Sequence, residues 1–184
     1  MYSYLKGIIT EIKANYITIE VNHIGFLILT SNPYAFTLNQ ETTIYTYQKV
    51  SDDGIHLYGF RFPEEKELFI KLISVNGIGP KSANAILAAG SVKEIASAIE
   101  SGNAKYLQKF PGIGPKASQQ IILDLQGKIE FDANIEMTNS LAEVSEALEA
   151  LGYNAKEIKK VITKLDSSKT TNELIKDALK LMLK

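Results

Sequence analysis

The chain has 184 residues, 45% of them hydrophobic, with 20 Lys and Arg balanced against 21 Asp and Glu and no cysteine. That length accommodates two or three small domains, while the lack of cysteine excludes disulfides, thiolate metal sites and a cysteine nucleophile. No stretch approaches the ~18 consecutive apolar residues of a membrane span, and the N-terminus has no basic segment leading into an apolar run, so a soluble, cytoplasmic protein is expected.

Residues 1–62 read as β. The runs YLKGIITEI, YITIEV, IGFLILT, TTIYTYQKV and IHLYGF are rich in Ile, Tyr, Thr and Val, and turn chemistry such as VNHIG, SNPYAF and SDDG separates them. Five short strands of this kind predict a small closed barrel of the OB type. Tyr16, Tyr45, Tyr47 and Tyr58 either fill strand faces or form a base-stacking platform, the former being favoured. His23 and His56 lie in this region without carboxylates at ligand spacing, which favours solvent-facing or hydrogen-bonded roles over catalysis or metal binding. No metal or cofactor is expected.

From Pro63 the period becomes helical. PEEKELFIKLISVN places Leu68, Phe69, Leu72 and Ile73 on one face, with acidic residues in its first turn. SVKEIASAIESG opens with a capping box from Ser91 to Glu94, and NAKYLQKF follows an Asn cap, so residues 63–128 form an all-helical domain. Residues 129–139 mix charges without a period and read as a linker. Start signals at Ser140, Asn154 and Thr170, each followed by Glu three positions on, then predict a three-helix bundle over 140–184. The whole is an α+β multi-domain chain.

The pentapeptide GIGPK occurs twice in the helical domain, 35 positions apart: Gly77, Ile78, Gly79, Pro80 and Lys81, then Gly112, Ile113, Gly114, Pro115 and Lys116. Glycines permit a tight helix-to-helix turn that exposes consecutive N–H groups, and proline fits the first helical position because its missing donor is not needed there. Each turn therefore aims a helix N-terminus at an anion. Lys81 and Lys116 oppose the helix dipole but suit a phosphate held in front of it. The isoleucines are expected to anchor the turns in the core. A single copy of the motif reads equally well as a plain αα turn; the repeated lysine favours phosphate binding. A P-loop is excluded, because that motif requires Gly directly before Lys and a preceding strand.

The charge distribution agrees. The net charge is −1, but formal charges sum to roughly −2 over residues 1–60, +3 over 61–128 and −2 over 129–184. Arg61 is the only arginine, so bidentate reading of guanine is not available to the other cations, and shape rather than base sequence is the expected target.

NGIGPKSANAIL and PGIGPKASQQIIL resemble helix-hairpin-helix motifs. A tandem pair after a barrel ending LYGF, followed by a bundle containing ALEALGY, resembles the RuvA family across essentially the whole chain. The resemblance implies a non-enzymatic homotetramer that holds a four-way (Holliday) DNA junction open, as one tetramer or two stacked tetramers. It also implies recruitment of the RuvB ATPase through the C-terminal bundle for branch migration in recombination and repair, with the RuvC resolvase as a further partner.

By similarity, Gly77, Ile78, Gly79, Lys81, Ser82, Gly112, Ile113, Gly114 and Lys116 contact DNA. Asp52 and Asp53 match an acidic pin whose carboxylates repel phosphates at the junction centre; without the resemblance, they would read as an ordinary hairpin turn. Leu148, Leu151, Gly152 and Tyr153 match a corner that either contacts RuvB or is core. The resemblance departs beside the second hairpin, where Pro115, Gln119 and Gln120 are neutral. That predicts a weaker second grip unless Lys105, Lys109 or Lys128 compensates. The alternative function is a helix-hairpin-helix DNA glycosylase or nuclease, for which Asp124 is the sole aspartate near the hairpins.

Overall fold

The computed structural model describes residues 1–52, 54–129, 133–165 and 171–182, with backbone only over 133–140 and at 155. The chain divides into two compact units, Met1–Ile129 and Glu130–Lys184. Asp53 and Thr170 lie outside the described residues.

The first unit opens with five strands, β1 (Tyr4–Ile12), β2 (Tyr16–Val21), β3 (Ile24–Thr30), β4 (Glu41–Ser51) and β5 (Gly54–Phe60). They close into a barrel in the order β1-β2-β3-β5-β4. β1 makes closure possible by serving two partners. Its residues from Tyr4 to Ile8 pair with β4, and those from Ile8 to Ile12 pair with β2, with an irregularity between Ile9 and Glu11. A bulge of this kind bends a strand round a barrel corner. The last seam, between β3 and β5, is parallel. Alternate residues point inward, as a two-residue period requires, so Leu5, Ile9, Ile17, Ile19, Ile28, Ile44 and Leu57 form the barrel core. Asn22 and His23 take left-handed backbone angles in the β2–β3 turn, and His23 projects into solvent.

The β4–β5 hairpin is longer than the barrel. β1 covers β4 only from Glu41 to Tyr45, and β3 covers β5 only from Leu57 to Gly59. Beyond them, Lys49–Ser51 and Gly54–His56 pair in the sheet only with each other, as a two-stranded ribbon.

Five helices complete the unit: α1 (Pro63–Ser74), α2 (Pro80–Ala89), α3 (Val92–Glu100), α4 (Ala104–Leu107) and α5 (Pro115–Leu125). α1 joins them to the barrel. Its buried face carries Leu68, Phe69 and Leu72, and the Phe69 ring packs against Tyr47, Tyr58 and Phe60 at centroid separations of 5.5, 5.3 and 4.9 Å. Aromatic pairs at such distances add about 0.5–1.5 kcal/mol beyond area burial. Tyr47 and Tyr58 thus fill a strand face against a helix.

The second unit contains α6 (Ala133–Ala150), α7 (Ala155–Ile162) and α8 (Thr171–Met182). Val144, Leu148, Ile158, Val161, Leu174 and Ala178 form its core. α6 begins seven residues before Ser140, inside the stretch that reads as a linker. Ala133, Glu136 and Met137 are strong helix formers, and a serine within a helix costs only a few tenths of a kcal/mol, so the mixed charges concealed a helical segment.

The predicted cap of α3 is in place. The Ser91 hydroxyl accepts from the Glu94 N–H at 3.3 Å, and the Glu94 carboxylate accepts from the Ser91 N–H at 3.0 Å. The Ser91 backbone N–H, then its hydroxyl, holds the Glu94 carboxyl below the usual carboxylate range. A carboxylate favoured by folding contributes stability above its unfolded pKa and loses it as pH falls through the lowered folded value. The deficit of Glu94→Ala against the parent in thermal melts is therefore expected to be full at neutral pH and to close in acid. A deficit that persists undiminished to about pH 3 contradicts this assignment.

Candidate nucleic-acid interface

Each GIGPK segment forms a tight turn between two helices. Gly77 and Gly112 adopt φ of 85° and 79°, the left-handed region that disfavours a side chain. The following isoleucines turn inward: Ile78 and Ile113 are buried, and their N–H groups donate to the carbonyls of Val75 and Phe110 at 3.0 and 3.1 Å. Gly79 and Gly114 then serve as N-caps of α2 and α5, with Pro80 and Pro115 at the first helical position. The two turns repeat each other closely in backbone conformation.

α2 and α5 differ from α3, α4 and α7 in how they begin, and from α1, which also lacks a side-chain N-cap, in having no acidic residue in the first turn. α3, α4 and α7 start at Ser91, Asn103 and Asn154, whose side chains accept hydrogen bonds from first-turn N–H groups. α2 and α5 start at glycines, with no side-chain cap. Their first N–H groups have no intrahelical partner either, so each helix presents an open, electropositive end. Lys81 and Lys116, both exposed, stand in that first turn.

Gly79 and Gly114 are informative for a second reason. Their φ values of −94° and −88° suit any residue, and an added Cβ at either meets no heavy atom within 4 Å. Neither backbone conformation nor packing within the chain requires glycine there, and the backbone at both positions is open to close approach.

The two hairpins differ one turn further on. Ser118 occupies the position that Ala83 holds in the first copy, and both are fully buried. The Ser118 hydroxyl donates to the Pro115 carbonyl at 2.9 Å and accepts from Gln108 Nε2 at 3.1 Å, tying the second hairpin to the end of α4. Sequence reading overlooked this bond, although serine in place of alanine between otherwise matching repeats was its visible signal. Ser82, half-buried in the first turn of α2, corresponds to Ala117 and adds a hydroxyl that the second hairpin lacks.

Among the neutral residues beside the second hairpin, Gln119 is exposed and Gln120 donates to Asp124 Oδ1 at 2.9 Å. Of the candidate compensating lysines, Lys109 lies three residues before Gly112, with its Nζ 5.6 Å from the centre of the Tyr106 ring. Lys105 is exposed on α4. Lys128 lies beyond the far end of α5, roughly 16 Å along the helix axis from Gly114, so it does not stand beside the hairpin. Its carbonyl accepts from Lys71 Nζ.

Asp52 is exposed in the two-residue turn at the ribbon tip, between the paired Ser51 and Gly54. In the second unit, Leu148 lies fully in the bundle core and the half-buried Tyr153 packs against it, while Leu151 is 60% exposed. Of the two readings for the corner, Leu148 takes the core one, while Leu151 forms its surface. Gly152 and Tyr153 close the end of α6, the Tyr153 N–H donating to the Leu148 carbonyl at 3.1 Å.

A closed five-stranded barrel carrying two matched hairpins defines a tandem helix-hairpin-helix protein. Three family models match the chain in order: the RuvA N-terminal domain over residues 1–59, a SAM-like helix-hairpin-helix tandem over 69–127, and the RuvA C-terminal domain over 139–183. Curated relatives named Holliday junction branch migration complex subunit RuvA match along their full length and that of this chain. Identities are 49% in Acholeplasma laidlawii (strain PG-8A), 48% in Lactobacillus johnsonii and 45% in Pediococcus pentosaceus. The chain belongs to the RuvA family.

The geometry predicts a division among the four hairpin glycines. Gly77→Ala and Gly112→Ala are each expected to destabilise the protein by about 1–2 kcal/mol, because the new side chain must occupy the left-handed region. Gly79→Ala and Gly114→Ala are expected to change stability by less than ~1 kcal/mol, because the lower chain entropy of alanine offsets its poorer capping. Urea titrations of the four variants check this, and equal losses at all four positions contradict it.

Proposed function

We propose that the protein binds four-way DNA junctions by shape, as a non-catalytic subunit that recruits the RuvB motor for branch migration in the cytoplasm. The observation that carries this reading is the pair of matched, uncapped helix N-termini, each with an exposed lysine and a glycine that nothing within the chain requires. A helix N-terminus binds phosphate through its backbone N–H groups and dipole, without reading bases. Two such grips on one rigid domain hold a duplex arm in a fixed register. The names of the full-length relatives support a junction as the DNA form, and membership of the family supports a homotetramer, either single or stacked in pairs. The exposed Leu151 supports the α6–α7 corner as the RuvB contact. The glycosylase reading is disfavoured by Asp124, which sits on the side of α5 and already accepts from Gln120.

Four copies with two hairpins each would neutralise about eight phosphates, giving a log–log salt dependence with a slope on the order of −7. Gel shifts with a four-way junction and a linear duplex of equal length test the reading; equal affinity refutes it. Lys81→Glu combined with Lys116→Glu is expected to abolish binding while leaving the melting temperature unchanged. Gly79→Ala or Gly114→Ala is expected to cost roughly tenfold in junction affinity, comparable to one charge-assisted hydrogen bond. Asp52→Asn is expected to retain or tighten binding, since it removes repulsion from phosphates.

A further inference from the structure

The 35-position repeat places Gln108 and Ser118 of the second copy where the first has Ile73 and Ala83. A hydrocarbon pair flanking the first turn is thus a polar pair flanking the second. Gln108 is exposed at the C-terminal end of α4, where its N–H donates to the Ala104 carbonyl at 3.0 Å, and its side chain reaches Ser118, which is fully buried in α5. Chemistry sets the direction of the bond between them. The Ser118 proton goes to the Pro115 carbonyl at 2.9 Å, so the hydroxyl oxygen can only accept, and Gln108 Nε2 supplies the donor at 3.1 Å. The bond joins residues ten positions apart and so spans the whole turn, from the helix before it to the helix after it. The second turn has the greater need of such a tie. α1, which leads into the first turn, has 12 residues and seats Phe69 against the barrel. α4, which leads into the second, has 4 residues, far fewer than a helix needs to be stable alone.

We propose that Gln108 and Ser118 are positioning residues for the second hairpin: their bond fixes the start of α5 against the end of α4 and so holds the open N–H groups ready for a DNA phosphate. The inference rests on the junction-binding reading above. Few donors are available to correct a misplaced phosphate. Pro115 has no N–H, and the Ser118 N–H already donates to the Gly114 carbonyl at 2.9 Å, which leaves the N–H groups of Lys116 and Ala117. Ala117 stands where the first hairpin has the Ser82 hydroxyl, and Gln119 and Gln120 add no charge. Hydrogen bonds weaken steeply as distance and angle depart from their optimum, so donors this few grip well only if they are held in place before the phosphate arrives. Apolar packing is non-directional, whereas a bond from Gln108 to a buried hydroxyl fixes both distance and angle. Ser118 is fully buried and beyond the reach of DNA, so any effect it has on binding passes through α5.

The test measures the four-way junction affinity of full-length variants by gel shift at low salt, with thermal melts alongside. Ser118→Ala installs the residue that the first copy holds in its equally buried position, and Gln108→Ala changes an exposed side chain, so both are expected to melt within a few degrees of the parent. Each is expected to weaken junction binding by about threefold to tenfold, and the two together by no more than either alone, since the same bond is removed in every case. In a Lys81→Glu background, where binding depends on the second hairpin, the loss is expected to persist. In a Lys116→Glu background it is expected to vanish. A loss of the same size in both backgrounds overturns the proposal, because general loosening of the domain would act on both hairpins. A loss confined to Gln108→Ala also overturns it and assigns Gln108 to direct contact with DNA. Undiminished affinity in both variants does so as well. If Lys116→Glu itself leaves the parent's affinity intact, the hairpin reading fails first and the positioning role falls with it, an outcome distinct from the others.

Discussion

An α-helix cannot satisfy its own first N–H groups, and most of what this protein presents to a partner follows from how that constraint is met at each helix. A side chain closes the start of α3, α4 and α7, through Ser91, Asn103 and Asn154. At α2 and α5 the start is a glycine, and closure is left to something outside the chain. Two substitutions of the kind used elsewhere in the same chain, serine or asparagine for Gly79 and Gly114, would have capped these ends. Leaving them open costs each helix only a few tenths of a kcal/mol, because glycine is itself a tolerated N-cap, and an incoming phosphate can offset that cost through the same N–H groups.

An open helix end grips only if its position is fixed. The buried isoleucines pin each turn from within, and helix packing places the turns on one domain. Anchoring to the barrel centres on one aromatic residue: Phe69 is fully buried and meets three rings from β4 and β5. Those rings sit at the root of the β4–β5 ribbon, so the element that carries the acidic tip is also the one on which the helical domain is seated. The second hairpin has an added restraint in the Gln108–Ser118–Pro115 chain of hydrogen bonds, which the first replaces with the alanine packing of Ala83. Similar turns are thus held by different means, one by a polar network and one by close packing.

Much of this was legible in the sequence because the relevant signals are local. The strand bounds of β1, β2 and β3 follow from β-rich runs between turn residues, and the capping boxes at Ser91 and Asn154 follow from a three-residue spacing. The hairpin motif was legible because it is repeated. What escaped depends on pairing between distant segments. Nothing in TTIYTYQKV says that β1 stops covering it at Tyr45, so the free ribbon and its exposed Val50–Ile55 pair could not be anticipated. In ALEALGY, Leu148 and Leu151 are three residues apart and equally apolar, and only the placement of α7 and α8 makes one core and the other surface. The start of α6 was missed for the opposite reason: a helix without an apolar period over its first turns leaves helix propensity as its only trace.

Net charge misleads for this chain because attraction and repulsion reside on different elements. The value of −1 averages a cationic helical domain with an acidic barrel and an acidic bundle. At physiological ionic strength charges are screened over about 8 Å, which is shorter than the roughly 13 Å of strand between the ribbon tip and the Phe69 contact. Asp52 therefore does little to weaken the field of the helical domain at its point of attachment. A more compact hairpin would have let the two cancel. The length of the β4–β5 ribbon thus keeps a cationic helical region and an acidic tip electrostatically separate on one small chain.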